Sequence, residues 1–128
     1  MEKVLFLTLA EVIEIHNDQM QRYGGHAGIR DMNLLSSAVA MPYVSFSGKF
    51  LHADIFEMAA AYAFHISQNN PFIDGNKRTA LASALVFLEM NKISISDPDG
   101  KLYEAMIKLA SGKLSKNKFA DVLRKLKG

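Results

Sequence analysis

Two long apolar stretches separated by one short polar segment constrain this chain more than anything else in it. From Ala53 to Ile66 only Asp54, Glu57 and His65 interrupt an otherwise apolar run, and from Thr79 to Leu88 no residue is charged. A helix that is hydrophobic on nearly every side has to be buried, so both stretches predict core helices. The segment Asn70-Pro71-Phe72-Ile73-Asp74-Gly75-Asn76-Lys77-Arg78 joins them. The chain is therefore expected to be all-α and to fold around a central buried helical hairpin with a polar, charged connection.

Local signals place the remaining elements around that hairpin. Thr8-Leu9-Ala10-Glu11 has the spacing of a capping box, and Val12, Ile15 and Met20 follow at helical intervals, so a first helix starts near Leu9. It stops before Gly24-Gly25, which supply left-handed backbone at low steric cost. Asp31 predicts the cap of a second helix through Leu34, Leu35, Ala38 and Val39, ended by Pro42. From Tyr43 to Leu51 the aromatic, small and polar pattern around Gly48 fits a short extended flap or hairpin. Asp97-Pro98 reads as a cap followed by proline in the first turn of a helix through Leu102, Met106 and Leu109 to Gly112. Ser115 caps a final helix through Phe119, Val122 and Leu126. Five or six helices are expected, in one domain spanning residues 1–128.

Composition removes several classes of function. There is no cysteine, which excludes disulfides and thiolate metal sites and suits a reducing cytoplasm. A formal charge of +2 is too small to imply a nucleic-acid partner, and no direct nucleic-acid contact is expected. The apolar run within Met1–Ala10 is bracketed by Glu2 and Glu11 and is too short to span a membrane, so no targeting or membrane role is expected. His16, His26, His52 and His65 are scattered without zinc-ligand spacing, and His65 reads as a satisfied core or boundary residue. Lys113, Lys116, Lys118, Arg124, Lys125 and Lys127 read as a solvated helix face.

The chemistry concentrates in the connection. Lys77 and Arg78 fall in the first turn of a helix, where the amino end already carries about half a positive charge. A sequence accepts that repulsion most readily when an anion sits between the free backbone N–H groups and the two side chains, and phosphate is the obvious candidate. Asp74 could hold magnesium beside the phosphates of a nucleotide, or simply form an Asp-Gly turn. Asn76 could present its amide to a phosphate or cap the helix. The segment has no P-loop spacing, and Gly-x-Gly-x-x-Gly occurs nowhere in the chain.

The segment resembles the signature of the Fic/Doc family, which reads His-x-Phe-x-Asp/Glu-Gly/Ala-Asn-Gly/Lys-Arg at the junction of two central helices. Asn76-Lys77-Arg78 followed by Thr79-Ala80-Leu81 points to the Doc branch. Tyr23-Gly24-Gly25, Gly28-Ile29-Arg30-Asp31, Leu34-Leu35, Ala38 and Asp54-Ile55-Phe56-Glu57 are similar to Doc sequences as well. The resemblance implies a bacterial toxin paired with an antitoxin protein, transferring a group from ATP to a protein hydroxyl. Adenylylating members carry a second arginine where this chain has Leu81 and a glycine where it has Lys77. Both differences favour the Doc reaction, phosphorylation of a threonine of the translation factor elongation factor Tu. Carried over by position, Asp74 would bind Mg2+, Gly75, Asn76, Lys77 and Arg78 would serve the phosphates of ATP, and Phe72 would anchor the loop. Tyr43, Ser45 and Phe46 belong to a flap that would dock the protein target. No segment has the family's inhibitory Ser/Thr-x-x-x-Glu-Gly/Asn spacing, so inhibition is expected from another chain.

One position departs from the pattern. The family's general base is the histidine that opens the motif, and here it is Asn70. An imidazole takes a proton near neutral pH, whereas a carboxamide does not. Losing a positioned base costs about a hundredfold to ten-thousandfold in rate, so this chain is expected to bind nucleotide better than it turns it over. A laboratory substitution that makes a toxic protein expressible and a natural pseudoenzyme both fit, and the intact remainder of the motif favours the first. The competing functional readings are an adenylylating enzyme and a pseudoenzyme serving as an antitoxin-binding or regulatory module.

Overall fold

The capping box at Thr8 forms in full: its hydroxyl accepts from the Glu11 N–H at 3.1 Å, and the Glu11 carboxylate accepts from the Thr8 N–H at 2.9 Å. It opens α1 (Leu9–Tyr23), which Gly24 closes at φ 83°. The computed structural model describes residues 3–128; Glu2, one of the acids flanking the N-terminal apolar run, lies outside them. Asp31 caps α2 (Met32–Ala40) by accepting from the Leu34 N–H, and a 3-10 turn (Met41–Tyr43) carries buried Pro42 beyond it. Two short antiparallel strands follow, β1 (Ser45–Phe46) and β2 (Lys49–Phe50), with Ser45 opposite Phe50 and Phe46 opposite Lys49. The expected flap is thus a real hairpin, although Tyr43 belongs to the 3-10 turn before it.

The two apolar stretches become α3 (Ile55–Asn69) and α4 (Asn76–Met90), the most extensively packed pair of helices. Ala59, Ala60 and Ala63 of α3 and Ala80 and Ala84 of α4 are all fully buried, and small side chains let helix axes approach closely. Phe87, Leu88, Tyr62 and Ile66 fill the surrounding core, joined by Leu102, Met106 and Leu109 of α5 (Lys101–Ala110) and Phe119 and Leu123 of α6 (Lys116–Lys125). The described residues thus form six α-helices and one small hairpin, and none of these helices is long and apolar enough to cross a membrane.

The start of α5 differs from expectation. Asp97-Pro98 does not open the helix; the chain turns through Asp99, Gly100 takes the left-handed conformation at φ 66°, and the helix begins at Lys101. The Asp97 carboxylate still serves the helix, accepting from the Lys101 and Leu102 N–H groups at 2.8 and 3.0 Å. A cap can therefore act from four residues upstream when a turn folds it back. The basic tail is also less uniform than its sequence suggests. Arg124 lies 2.6 Å from both Asp54 and Asp121, tying α6 to the start of α3, and Lys116 reaches buried His52 at 3.1 Å and His65 at 3.4 Å.

Candidate functional site

Helix α3 stops at Asn70, whose backbone sits in the left-handed region at φ 45°, ψ 53°. Asparagine tolerates that region better than most residues. A side chain far away in sequence fixes the turn: the Arg30 guanidinium donates to the Asn70 carbonyl through Nε at 2.9 Å and Nη2 at 2.6 Å, and to the Asn69 carbonyl at 3.2 Å. These acceptors are carbonyls that a helix C-terminus leaves without intrahelical partners, so a cation there also meets the negative end of the dipole. The backbone continues the clamp. Arg30 and Asp31 N–H groups donate to the Pro71 carbonyl, and the Ile73 N–H donates to the Gly28 carbonyl.

Phe72 is 1% exposed and stacks on the His16 ring, with centroids 3.9 Å apart and planes 8° from parallel. Its stacking partner is a histidine that the sequence left unassigned. His16 Nε2 accepts from the Gly28 N–H at 3.1 Å, which puts the ring proton on Nδ1, 3.0 Å from the Thr79 hydroxyl. Burial lowers its pKa below the ordinary imidazole value, against a smaller opposing influence from Asp74, so the neutral ring is the form that fits. The signal available in the sequence was its spacing: His16 stands four residues from buried Val12 and from buried Met20, on the core stripe of α1.

Asn76 is the first residue of α4, with Gly75 at the N-cap, and its amide is engaged at both ends. Its Oδ1 accepts from the Phe72 N–H at 2.9 Å and its Nδ2 donates to the Phe72 carbonyl at 3.0 Å, so the side chain holds the loop. An anion at Asn76 could meet its backbone N–H and the second Nδ2 hydrogen, together with the N–H groups of Lys77 and Arg78 in the first turn of α4. Gly75 precedes them at φ 71°, and a Cβ there would lie 2.0 Å from Met20 Cε. Only glycine fits that junction without moving Met20.

Asp74 is exposed, with Oδ1 accepting from the Gly75 N–H at 2.8 Å and Oδ2 from the His26 N–H at 3.2 Å. These hydrogen bonds to backbone, with His26 and Arg78 nearby, hold its carboxyl below the usual carboxylate range. Gly25 adjoins the same atoms: a Cβ on it would come 2.8 Å from Asp74 Oδ2. Arg78 stacks over the Tyr23 ring at 5.1 Å. A cavity of about 430 Å³ gathers Asn70, Asp74, Gly75, Asn76, Lys77 and Arg78, flanked by Tyr23 and Tyr103. It leaves out the flap residues Tyr43, Ser45 and Phe46; Tyr43 packs edge-on against Phe6, and Phe46 is 80% exposed.

The model of the Fic/DOC family matches residues 6–88. The chain belongs to the Fic/DOC family. Within it the chain is of the Doc type, being 33% identical over 118 residues to "Protein kinase doc" of Escherichia phage P1, a match covering 92% of both chains. It is also 36% identical over 74 residues to "Toxin Doc" of Mycolicibacterium smegmatis, covering 58% of this chain and 57% of that one. The Fic/DOC match spans α1 to α4, so it contains both the motif connection and the Gly28–Asp31 segment that clamps it.

The chemistry of the donor set fits one magnesium ion only in part. Among the described residues no group of three or more His, Asp or Glu could enclose a metal, and Asp74 is the carboxylate in the cavity. One carboxylate plus substrate phosphates is a usual arrangement for magnesium, so Asp74 fits an ion delivered with a nucleotide and not one held by protein alone.

Proposed function

We propose that this Doc-type protein is a toxin that binds ATP and magnesium and transfers the γ-phosphate to a hydroxyl of a translation factor, under control of an antitoxin protein. The observation that carries the reading is the meeting, in one cavity, of Asn70, Asp74 and the cationic first turn of α4. The N–H groups of α4, Lys77 and Arg78 would hold the phosphates, with positive charge concentrated where the transferred group becomes most charged. Magnesium, carried by Asp74, would neutralise phosphate charge. The attacking hydroxyl oxygen bonds to the γ-phosphorus as the bond to the β–γ bridging oxygen breaks, and ADP leaves. The hydroxyl proton needs an acceptor at position 70, and Asn70 provides none near neutral pH. Binding is therefore expected to survive while turnover is slow.

The test is Asn70→His with ATP labelled on the α- or the γ-phosphate and an elongation-factor preparation as acceptor. Histidine also adopts left-handed backbone more readily than most residues, so the fold should tolerate it. Transfer of γ-label should rise about a hundredfold to ten-thousandfold, with growth arrest on induction. Transfer of α-label would establish adenylylation instead. Equal transfer by both proteins would remove position 70 from proton transfer.

A further inference from the structure

Beside the phosphate cavity lies a second hollow of about 280 Å³, lined by Gln19, Tyr23, Arg78, Leu81, Ala82, Leu85 and Tyr103. The two share Tyr23, Arg78 and Tyr103, so they adjoin across those side chains. Their characters differ. The first is walled by the charged and amide groups of the connection, whereas the second has Leu81, Ala82 and Leu85 of α4 as an apolar floor, all partly exposed. Its walls are aromatic: Tyr23 at the end of α1 is 64% exposed and Tyr103 in the first turn of α5 is 57% exposed. Arg78 spans the boundary, with its guanidinium over the Tyr23 ring.

We infer that this hollow is the base subsite, in which Tyr23, Tyr103 and the Leu81–Leu85 face of α4 take the purine of a nucleotide whose phosphates lie at the start of α4. The inference rests on the phosphate reading given above. A flat, mostly apolar heterocycle suits a floor of aliphatic groups between exposed rings, and stacking needs no particular edge pattern on the base. Among the described residues that line the hollow there is no carboxylate, and Gln19 is the one side-chain amide. The subsite therefore holds the purine chiefly by its faces. Leu81 has a direct part in this: a charged side chain there would place a hydrated group where the ring must lie. Tyr23 and Tyr103 are specificity-determining residues that distinguish a nucleotide from a bare polyphosphate.

Calorimetry with magnesium, using ATP and inorganic tripolyphosphate as separate ligands, tests this on the whole chain. ATP should bind about five- to a hundredfold more tightly than tripolyphosphate, the range expected for one stacked base. Tyr103→Ala should remove most of that advantage, lowering ATP affinity far more than tripolyphosphate affinity, while Tyr103→Phe keeps it. The exposure of Tyr103 means neither substitution opens the core. Tripolyphosphate binding with no gain for ATP, or ATP affinity unchanged in Tyr103→Ala, would overturn the base subsite alone. Absence of binding by either ligand would overturn the phosphate site and the subsite together.

Discussion

Asn76→Ala separates two roles that sequence alone leaves merged, contact with phosphate and support of the loop. The structure commits both ends of the Asn76 amide to the backbone of Phe72, at 2.9 and 3.0 Å. Truncation leaves one N–H and one carbonyl beside a buried ring without partners, each costing about 1–3 kcal/mol; partial access of water at this half-buried residue favours the lower part, about 2–4 kcal/mol in all. A domain of this size is stable by only about 5–15 kcal/mol, so the variant should fold but be visibly weakened. With an unfolding entropy of about 2 cal/mol/K per residue, each kcal/mol lowers the melting temperature of a 128-residue chain by about 4 °C. The expected fall is thus about 7–15 °C by differential scanning calorimetry. Nucleotide affinity should fall with it, because the same loop carries Asp74 and leads into α4. An unchanged melting temperature with lost ATP binding would show that the amide serves the ligand directly, and the loop-holding account would be wrong.

Two further outcomes follow from elements away from the cavity. The Leu51 N–H donates to the Val44 carbonyl at 2.8 Å; by the alternation of an antiparallel pair, the main-chain groups of Ser45 then point outward while those of Phe46 close the hairpin. If this edge docks a protein target, Ser45→Pro in the Asn70→His background should abolish target labelling while ATP still binds, and undiminished labelling would make the hairpin a plain connector. Around Lys116, the His65 pKa is lowered to about 4 by burial, then by Lys116 and His52, and that of buried His52 is lowered by burial and by Lys116, with Glu57 the acid that favours the Lys116 charge. The unfolded chain binds a proton at His65 near 6.5, so the stability due to its neutral form is complete above that pH and is lost as pH falls toward 4. The full shift corresponds to about 3 kcal/mol, reduced by solvent at this half-exposed site to about 1–2 kcal/mol. Urea midpoints at pH 7 and pH 4.5 should differ accordingly, and His65→Gln should flatten the difference; an equal slope in both proteins would refute the assignment.

Much of the architecture is legible because its signals are local. A capping box, a glycine pair and two apolar runs mark out α1, α3 and α4, and the connection declares itself by placing cations at a helix start. The parts that could not be read are those in which distant segments meet. Nothing around Arg30 says that its guanidinium will hold carbonyls forty residues away, and His26 contributes to Asp74 through a backbone N–H that any residue but proline supplies. Asn76 was legible as important but its hold on the Phe72 backbone was not, since an amide can serve a ligand, a cap or a neighbouring peptide equally well. The basic tail shows the same limit: composition treats six cations alike, whereas packing places Arg124 in an ion-pair cluster and Lys116 against two imidazoles.

The clamp formed by residues 16–31 has a consequence for the life of the site. The hairpin of α3 and α4 carries the motif, but its geometry is imposed by His16, Gly28 and Arg30. Peeling that segment away would dissolve the cavity, and on the proposed reading a molecule opened in this way would no longer hold a nucleotide. A ligand that binds the clamped form draws on that equilibrium and opposes the opening in return. The segment that braces the motif is thereby a place where, on the proposed reading, a small local melting would end nucleotide binding without global unfolding.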